Sequence, residues 1–101
     1  MDATEKQQML FTALVLMLHA ACMQQLGKIK HPATGQVERN LDAAQDTIDL
    51  LDMLKEKTAG NRTADEDRML TQVLSELKLN YVDEAAKPGT VPPPPPEEKK
   101  S

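Results

Sequence analysis

Three side chains that can bind a soft metal ion lie close together in the sequence, at spacing i, i+3 and i+4: His19, Cys22 and Met23. In a helix this spacing places them on one side, and two chains together would offer the ligands of a copper or zinc site. An isolated Cys among apolar residues is more commonly a core residue, and no second residue is positioned by the sequence to activate its thiol. We therefore expect no metal ligands, no cofactor and no catalytic residue.

A row of carboxylates is the second group with chemical potential. Asp42, Asp46, Asp49, Asp52 and Glu56 recur at helical spacing, which would suit a cation or a basic partner. Carboxylates one turn apart repel unless something binds them, so a solvated face is the simpler interpretation. Paired carboxylates for hydrolysis would need a cleft, and a small helical chain offers little room for one. We predict a non-enzymatic protein in which Asp42, Asp46 and Asp49 are candidates for binding another protein.

The composition argues against nucleic-acid binding and excludes an internal disulfide. The 101 residues carry 12 basic and 16 acidic side chains and a net charge of -4, so no basic patch is available to a phosphate backbone. One Phe, one Tyr and no Trp leave no platform for stacked bases. The single Cys cannot form an internal disulfide and suits a reducing compartment. We expect one domain, located in the cytoplasm.

These side chains must be positioned by helices, and the most apolar segment comes first. Residues 9–26 read MLFTALVLMLHAACMQQL, and their apolar side chains surround the whole circumference of a helix. Such a helix is buried on all sides. We predict helix 1 at about residues 9–26 and expect the polar residues 1–8 to be frayed.

A membrane anchor is the alternative role for this segment. Residues 9–26 would span about 27 Å as a helix against a hydrocarbon core of ~30 Å, and His19 adds to the cost of insertion. Residues 18–22, LHAAC, resemble a lipoprotein cleavage site, but His19 replaces the expected aliphatic residue. Asp2 and Glu5 also make the preceding segment acidic where a signal needs basic residues. Partial insertion of helix 1 into an inner membrane is therefore the second hypothesis.

Two amphipathic helices follow. Asn40 is a suitable N-cap for helix 2, predicted at about residues 41–58, and Thr63 and Glu66 form a capping box for helix 3, predicted at about residues 64–82. The short connection between them predicts an antiparallel hairpin. The apolar stripes that we expect in the core are Leu41, Ala44, Ile48, Leu50, Leu51 and Leu54 in helix 2, and Leu70, Val73, Leu74, Leu77 and Tyr81 in helix 3.

Two further features are candidates for partner binding. Leu79 is apolar but lies off the core stripe of helix 3, which can indicate a second contact. Residues 83–101 offer no apolar surface to pack and contain five consecutive prolines, so we expect a disordered tail with a polyproline II segment. The tail is either a solvated spacer or a ligand for an aromatic groove in a partner protein. The prolines concerned are Pro92, Pro93, Pro94, Pro95 and Pro96.

Helix 1 needs more cover than its two neighbours provide, because their own stripes must also face each other. A bare side with about five large apolar side chains would cost ~10 kcal/mol, comparable with the whole stability of a small domain. The same surface of a second copy is the simplest cover. We predict an all-α three-helix protomer with a helical oligomerisation domain at residues 9–82, which forms a homodimer or higher oligomer. The predicted interface consists of Leu10, Phe11, Leu14, Val15, Leu18, His19 and Cys22.

Helices 2 and 3 also carry a specific string of residues. It reads Asn40-Leu-x-x-Ala-x-x-x-Ile48-Asp-x-Leu51, then Leu54-x-Glu56-Lys57-Thr58-x-Gly60-Asn61-x-Thr63, and closes at Tyr81-Val82. With the preceding apolar helix, this pattern resembles a family of short bacterial proteins known only as a domain of unknown function. The resemblance covers about residues 9–82 and implies a common helical fold. It implies no activity, substrate or cofactor.

Overall fold

The computed structural model describes residues 2–87, and in them it contains three helices. They are α1 (Ala3–Gln25), α2 (Leu41–Lys57) and α3 (Ala64–Ala85). Residues 2–87 form no strand, and the connector between α1 and α2 makes only an isolated antiparallel bridge between Leu26 and Arg39. The predicted all-α fold with three helices is confirmed. The polyproline prediction lies outside the described residues.

The first helix begins earlier than the sequence pattern predicts. A capping box closes its start, because the Glu5 amide donates to Asp2 Oδ1 at 2.7 Å and the Asp2 amide donates to Glu5 Oε1 at 3.1 Å. Two otherwise unpaired amides are satisfied in this way. Residues 3–8, which we expected to be frayed, are therefore helical, and the predicted start near residue 9 was too late. At the other end, Gly27 follows the C-cap with a φ of 78°, a left-handed conformation that favours glycine.

The caps of the other two helices agree with the sequence. Asn40 Oδ1 accepts a hydrogen bond from the Ala43 amide, and Thr63 and Glu66 form the predicted capping box. The last helix continues to Ala85, past the predicted end near residue 82. The start of the tail, predicted at residue 83, is corrected accordingly.

All three helices contact one another around a single core. Its fully or nearly fully buried apolar residues are Val15, Cys22, Leu26, Leu41, Ala44, Ile48, Leu51, Leu70, Val73, Leu74 and Leu77. These include most of the two stripes expected in helices 2 and 3, while Leu54 and Tyr81 are partly buried against the cluster. Leu50 departs from the prediction, because 47% of it is exposed.

The turn between α2 and α3 is held by Arg62, whose side chain is only 12% exposed. Its Nη1 donates to the Lys55 carbonyl oxygen at 2.6 Å and to Thr58 Oγ1 at 2.8 Å. Its Nη2 donates to Asp67 Oδ1 at 2.6 Å, and this hydrogen bond lowers the pKa of the Asp67 carboxyl. One guanidinium thus joins the last turn of α2 to the first turn of α3, an arrangement compatible with the predicted hairpin.

Candidate functional site

The main candidate surface is the side of α1 that points away from the core. Val15 and Cys22 are completely buried, so they define the inward side of the helix. Large apolar residues on the opposite side and its flanks each expose between 40% and 68% of their surface. We call these residues the exposed face of α1: Met9, Leu10, Leu14, Leu16 and Met17. Ala13 lies among them and is also exposed, so the face is continuous over about two turns of helix.

The predicted interface residues divide between this face and the interior of the protomer. Leu10 and Leu14 belong to the exposed face. Phe11 and Leu18 are partly buried against the core cluster, which Val15 and Cys22 join. These last four residues contribute to the protomer itself, whatever binds to α1. Met9, Leu16 and Met17 were not part of the predicted interface, because a helix that is apolar all round gives no sign of which side faces inward.

His19 lies on the flank of α1 that faces α3. Its Nε2 is 3.4 Å from Glu76 Oε1 and shielded from solvent, but it makes no hydrogen bond with any of residues 2–87. The contact is an ion pair only when the imidazole is protonated. His19 therefore contacts a residue of its own chain, although we predicted it in a contact between copies.

Cys22 points in a different direction from His19. Its Sγ lies 3.7 Å from the Ala44 carbonyl oxygen of α2, and burial raises the pKa of the thiol to about 11 because the thiolate loses its hydration. The two side chains thus approach different helices and do not converge on one point. Among residues 2–87 there is also no cluster of three His, Cys, Asp or Glu side chains able to hold a metal ion.

One large apolar residue of α2, Leu50, is also exposed. Thr47 Oγ1 donates to Gln25 Oε1 at 2.7 Å, which shows that this side of α2 faces α1. Leu50 follows Thr47 by one turn but is rotated by roughly 60° around the helix, so it lies at the outer edge of the contact with α1. This position explains why Leu50 is 47% exposed whereas Thr47 is buried.

The acidic residues proposed for partner binding lie along α2. Asp42 and Asp46 are exposed, whereas Asp49 accepts a hydrogen bond from Gln45 Nε2 at 3.0 Å. Asp52 forms an ion pair with Lys78 of α3. These carboxylates have different neighbours and do not form one cluster, so a binding role for them stays a prediction.

Leu79 and the proline tail complete the set of predicted partner sites. Leu79 is 72% exposed, which agrees with its predicted position off the core stripe. Its nearest exposed apolar neighbour along α3 is Val82, one turn further on. Residues 92–96 lie outside the described part of the chain. Partner binding at both places stays a prediction.

A buried carboxylate that the sequence analysis missed holds the connector against the end of α3. Glu84 is 3% exposed and accepts from Lys28 Nζ at 2.7 Å, from Arg39 Nη1 at 3.0 Å and from Lys87 Nζ at 2.6 Å. Hydrogen bonds from Lys28 and Lys87, with a further one from Arg39, lower the pKa of Glu84 to about 2. Because both carboxylate oxygens are engaged by cations of the same chain, the arrangement serves structure.

No helix within residues 2–87 combines the length and the apolar character needed to cross a membrane. The observations define a small all-α protein whose helices share one core and whose first helix exposes an apolar face. The chain belongs to the family described as Domain of unknown function (DUF1844), whose model matches residues 8–83. The resemblance inferred from the sequence is thereby confirmed. Comparisons with curated proteins and with solved structures give no match.

Proposed function

We propose that this protein is a non-enzymatic helical interaction module that forms a homodimer through the exposed face of α1. The observation that carries the proposal is the position of five large apolar side chains away from the core, on one helix. Isolated exposed apolar residues are ordinary in a monomer, but a contiguous set of this kind is typical of a surface that binds something. The three-helix core serves to present this surface.

A second copy is the occupant that buries two such faces in a single contact. If full burial of a Leu or Met side chain contributes ~2 kcal/mol, covering five half-exposed side chains contributes about 5 kcal/mol per protomer. A two-fold contact buries the face of both copies at once, which doubles the gain to about 10 kcal/mol. This falls within the ~4–15 kcal/mol that association costs in lost freedom of motion. Contacts at Leu50 on both copies would add to the gain and favour the dimer.

The test is the mass of the untagged protein in detergent-free solution, measured by size-exclusion chromatography with light scattering. We expect a species of twice 11.2 kDa. The double substitution Leu14→Glu with Met17→Glu should give a folded monomer, because it places charge in the contact and leaves the core intact. The matched control is Leu79→Glu, since Leu79 is equally apolar and 72% exposed but lies on α3. This control should remain dimeric.

The opposite results are equally informative. A folded wild-type monomer would overturn the proposal. If that monomer also co-floated with anionic phospholipid vesicles, and the Leu14→Glu and Met17→Glu protein did not, the face would be a partial membrane anchor instead. A dimer that survives both glutamate substitutions would mean that the copies associate through another surface.

The remaining parts of the proposal concern location and further partners. We place the dimer in the cytoplasm, where its one unpaired thiol stays reduced. Asp42 and Asp46 on α2, and the prolines at 92–96, are the parts that it would present to another protein. The exposed carboxylates of Asp42 and Asp46 suit a basic partner, and a proline-rich segment suits an aromatic groove.

A further inference from the structure

We propose that the two copies of α1 pair antiparallel, about a two-fold axis that passes between Ala13 and Leu14. This inference rests on the proposed dimer and adds the arrangement of its partner. In this arrangement Leu10 of each copy packs against Met17 of the other. Leu14 packs against its own counterpart.

The position of the apolar side chains along the helix supports antiparallel pairing. Leu10 and Met17 are seven residues apart and therefore lie nearly on one line along α1. Ala13 and Leu14 lie midway between them, one on each side of that line. A two-fold axis through this midpoint places the Leu10 end of each exposed face against the Met17 end of the other copy. Leu10, Leu14 and Met17 then lie within the contact, while Met9 and Leu16 lie roughly 100° around the helix, at its edge.

The position of Leu50 also favours the antiparallel pair over the parallel one. An antiparallel two-fold pair places both α2 helices on the same side of the two α1 helices, whereas a parallel pair places them on opposite sides. Leu14 lies three turns before Gln25 on the side of α1 that faces α2, and Leu50 lies at the edge of the same contact. Both are exposed in the single chain. The antiparallel pair brings the two copies of each residue into one apolar seam. In the parallel pair, Leu14 and Leu50 of one copy would face the flank of the other α1 that points away from its own α2.

The charges at the two ends of α1 likewise favour antiparallel pairing. Asp2 and Glu5 are exposed at its start, where Lys6 offsets only one of them. The connector beyond its other end carries Lys30, which is exposed and forms no ion pair with any of residues 2–87. Antiparallel pairing brings the acidic start of each copy toward the basic connector of the other and opposes the two helix dipoles. Parallel pairing brings like charges and like dipole ends together.

The test uses single cysteine substitutions in the full chain, oxidised and analysed on non-reducing gels. The native Cys22 is completely buried, so it supplies a low background. In the antiparallel pair Leu14→Cys should link to itself and give a band at twice the monomer mass. Leu10→Cys alone should not, because its two copies are about 10 Å apart along the helices, beyond the ~7 Å between Cα atoms that a disulfide spans. A mixture of Leu10→Cys and Met17→Cys proteins, combined under reducing conditions, should link.

Each reduced variant is first measured by light scattering, so that only dimers are compared. A second measurement leaves the contact intact: a spin label at Lys6→Cys should give a distance of about 22 Å along the pair, against ~10 Å for parallel helices. Self-linking of Leu10→Cys, which only a parallel pair would give, or the short label distance, would overturn antiparallel pairing while leaving the dimer in place. A wild-type monomer would instead show that the proposed function itself is wrong.

Discussion

The side-chain nitrogen of Lys28 lies 2.7 Å from Oε2 of Glu84, and this contact joins the connector after α1 to the last turn of α3. Arg39, from the other end of the same connector, binds the second oxygen of the carboxylate at 3.0 Å. A segment without regular structure is thereby fixed at two points by one buried charge. Removing the cations would leave a buried carboxylate without a counter-charge, and removing the carboxylate would leave the cations without theirs. Because either change is unfavourable, these side chains should stabilise the fold together.

We expect Glu84→Gln to lower the free energy of unfolding by roughly 2–3 kcal/mol, because Lys28 and Arg39 lose their common counter-charge. Chemical denaturation followed by circular dichroism measures the change. The control is Asp83→Asn: Asp83 also binds Lys28, at 3.0 Å, but its side chain is 61% exposed. Its replacement should change stability by less than ~0.5 kcal/mol. Equal effects of the two substitutions would contradict the structural role of Glu84.

The same carboxylate predicts a dependence of stability on acid. Its pKa is lowered from 4.5 to about 2 in the folded protein, so the folded state holds the proton less strongly than the unfolded state. The stabilisation is therefore fully present above about pH 5 and disappears as the pH falls toward 2. We expect the difference between wild type and Glu84→Gln in urea midpoint to be constant from pH 7 to pH 5 and to shrink below it. A difference that persists unchanged at pH 2 would show that charge is not its origin.

Replacing Arg62 should disturb the turn between α2 and α3. Arg62→Ala removes hydrogen bonds to Lys55, Thr58 and Asp67 from a side chain that is only 12% exposed. We expect a loss of about 2–3 kcal/mol in the free energy of unfolding, since the first two acceptors lose a charged donor. Arg68→Ala is the matched control, because Arg68 is 72% exposed and forms an ion pair with Asp65, which is 88% exposed. It should stay within ~0.5 kcal/mol of wild type.

Local signals allowed much of this fold to be predicted, and the failures share a physical cause. The side chains of Asn40 and Thr63 accept hydrogen bonds from backbone amides only three residues further along the chain. The sequence alone therefore locates the starts of both helices. Arg39 and Glu84 are 45 residues apart, and no periodic pattern indicates that such a pair will meet. The early start of α1 also has a local signal, because Asp2 and Glu5 stand at the spacing of a capping box.

The candidate site was harder to predict than the helices. In α2 and α3 the polar residues reveal which side faces water, and the core stripes follow from them. In α1 the inward and outward sides are equally apolar, so Val15 and Leu14 look alike in the sequence although one is completely buried and the other 40% exposed. The packing of α2 and α3 decides between them. An interface list drawn from sequence therefore mixed core residues with surface residues.

Cys22 should react slowly with thiol reagents in the folded protein. It is completely buried and its pKa is raised to about 11, so both access and the thiolate fraction are low near neutral pH. We expect labelling by a coloured disulfide reagent at pH 8 to be at least about a hundredfold slower than in denaturant, limited by opening of the helices. Leu79→Cys, with its exposed position on α3, should add one rapidly labelled thiol. Rapid labelling of two thiols in this variant would mean that α1 is not held in the core.

Leu50 offers the sharpest test of how far the contact between copies extends. Leu50→Glu should weaken the dimer about tenfold, because the antiparallel pair covers this residue and a buried carboxylate without a partner is unfavourable. Met53→Glu is the matched control: Met53 is 42% exposed against 47% for Leu50 and lies on the same helix. It is one turn further on and rotated away from the side that carries Thr47, so its replacement should leave the dissociation constant unchanged. Sedimentation equilibrium of the two variants gives both constants. Equal weakening would mean that added negative charge on α2 acts generally, whereas no weakening at Leu50 would confine the contact to α1.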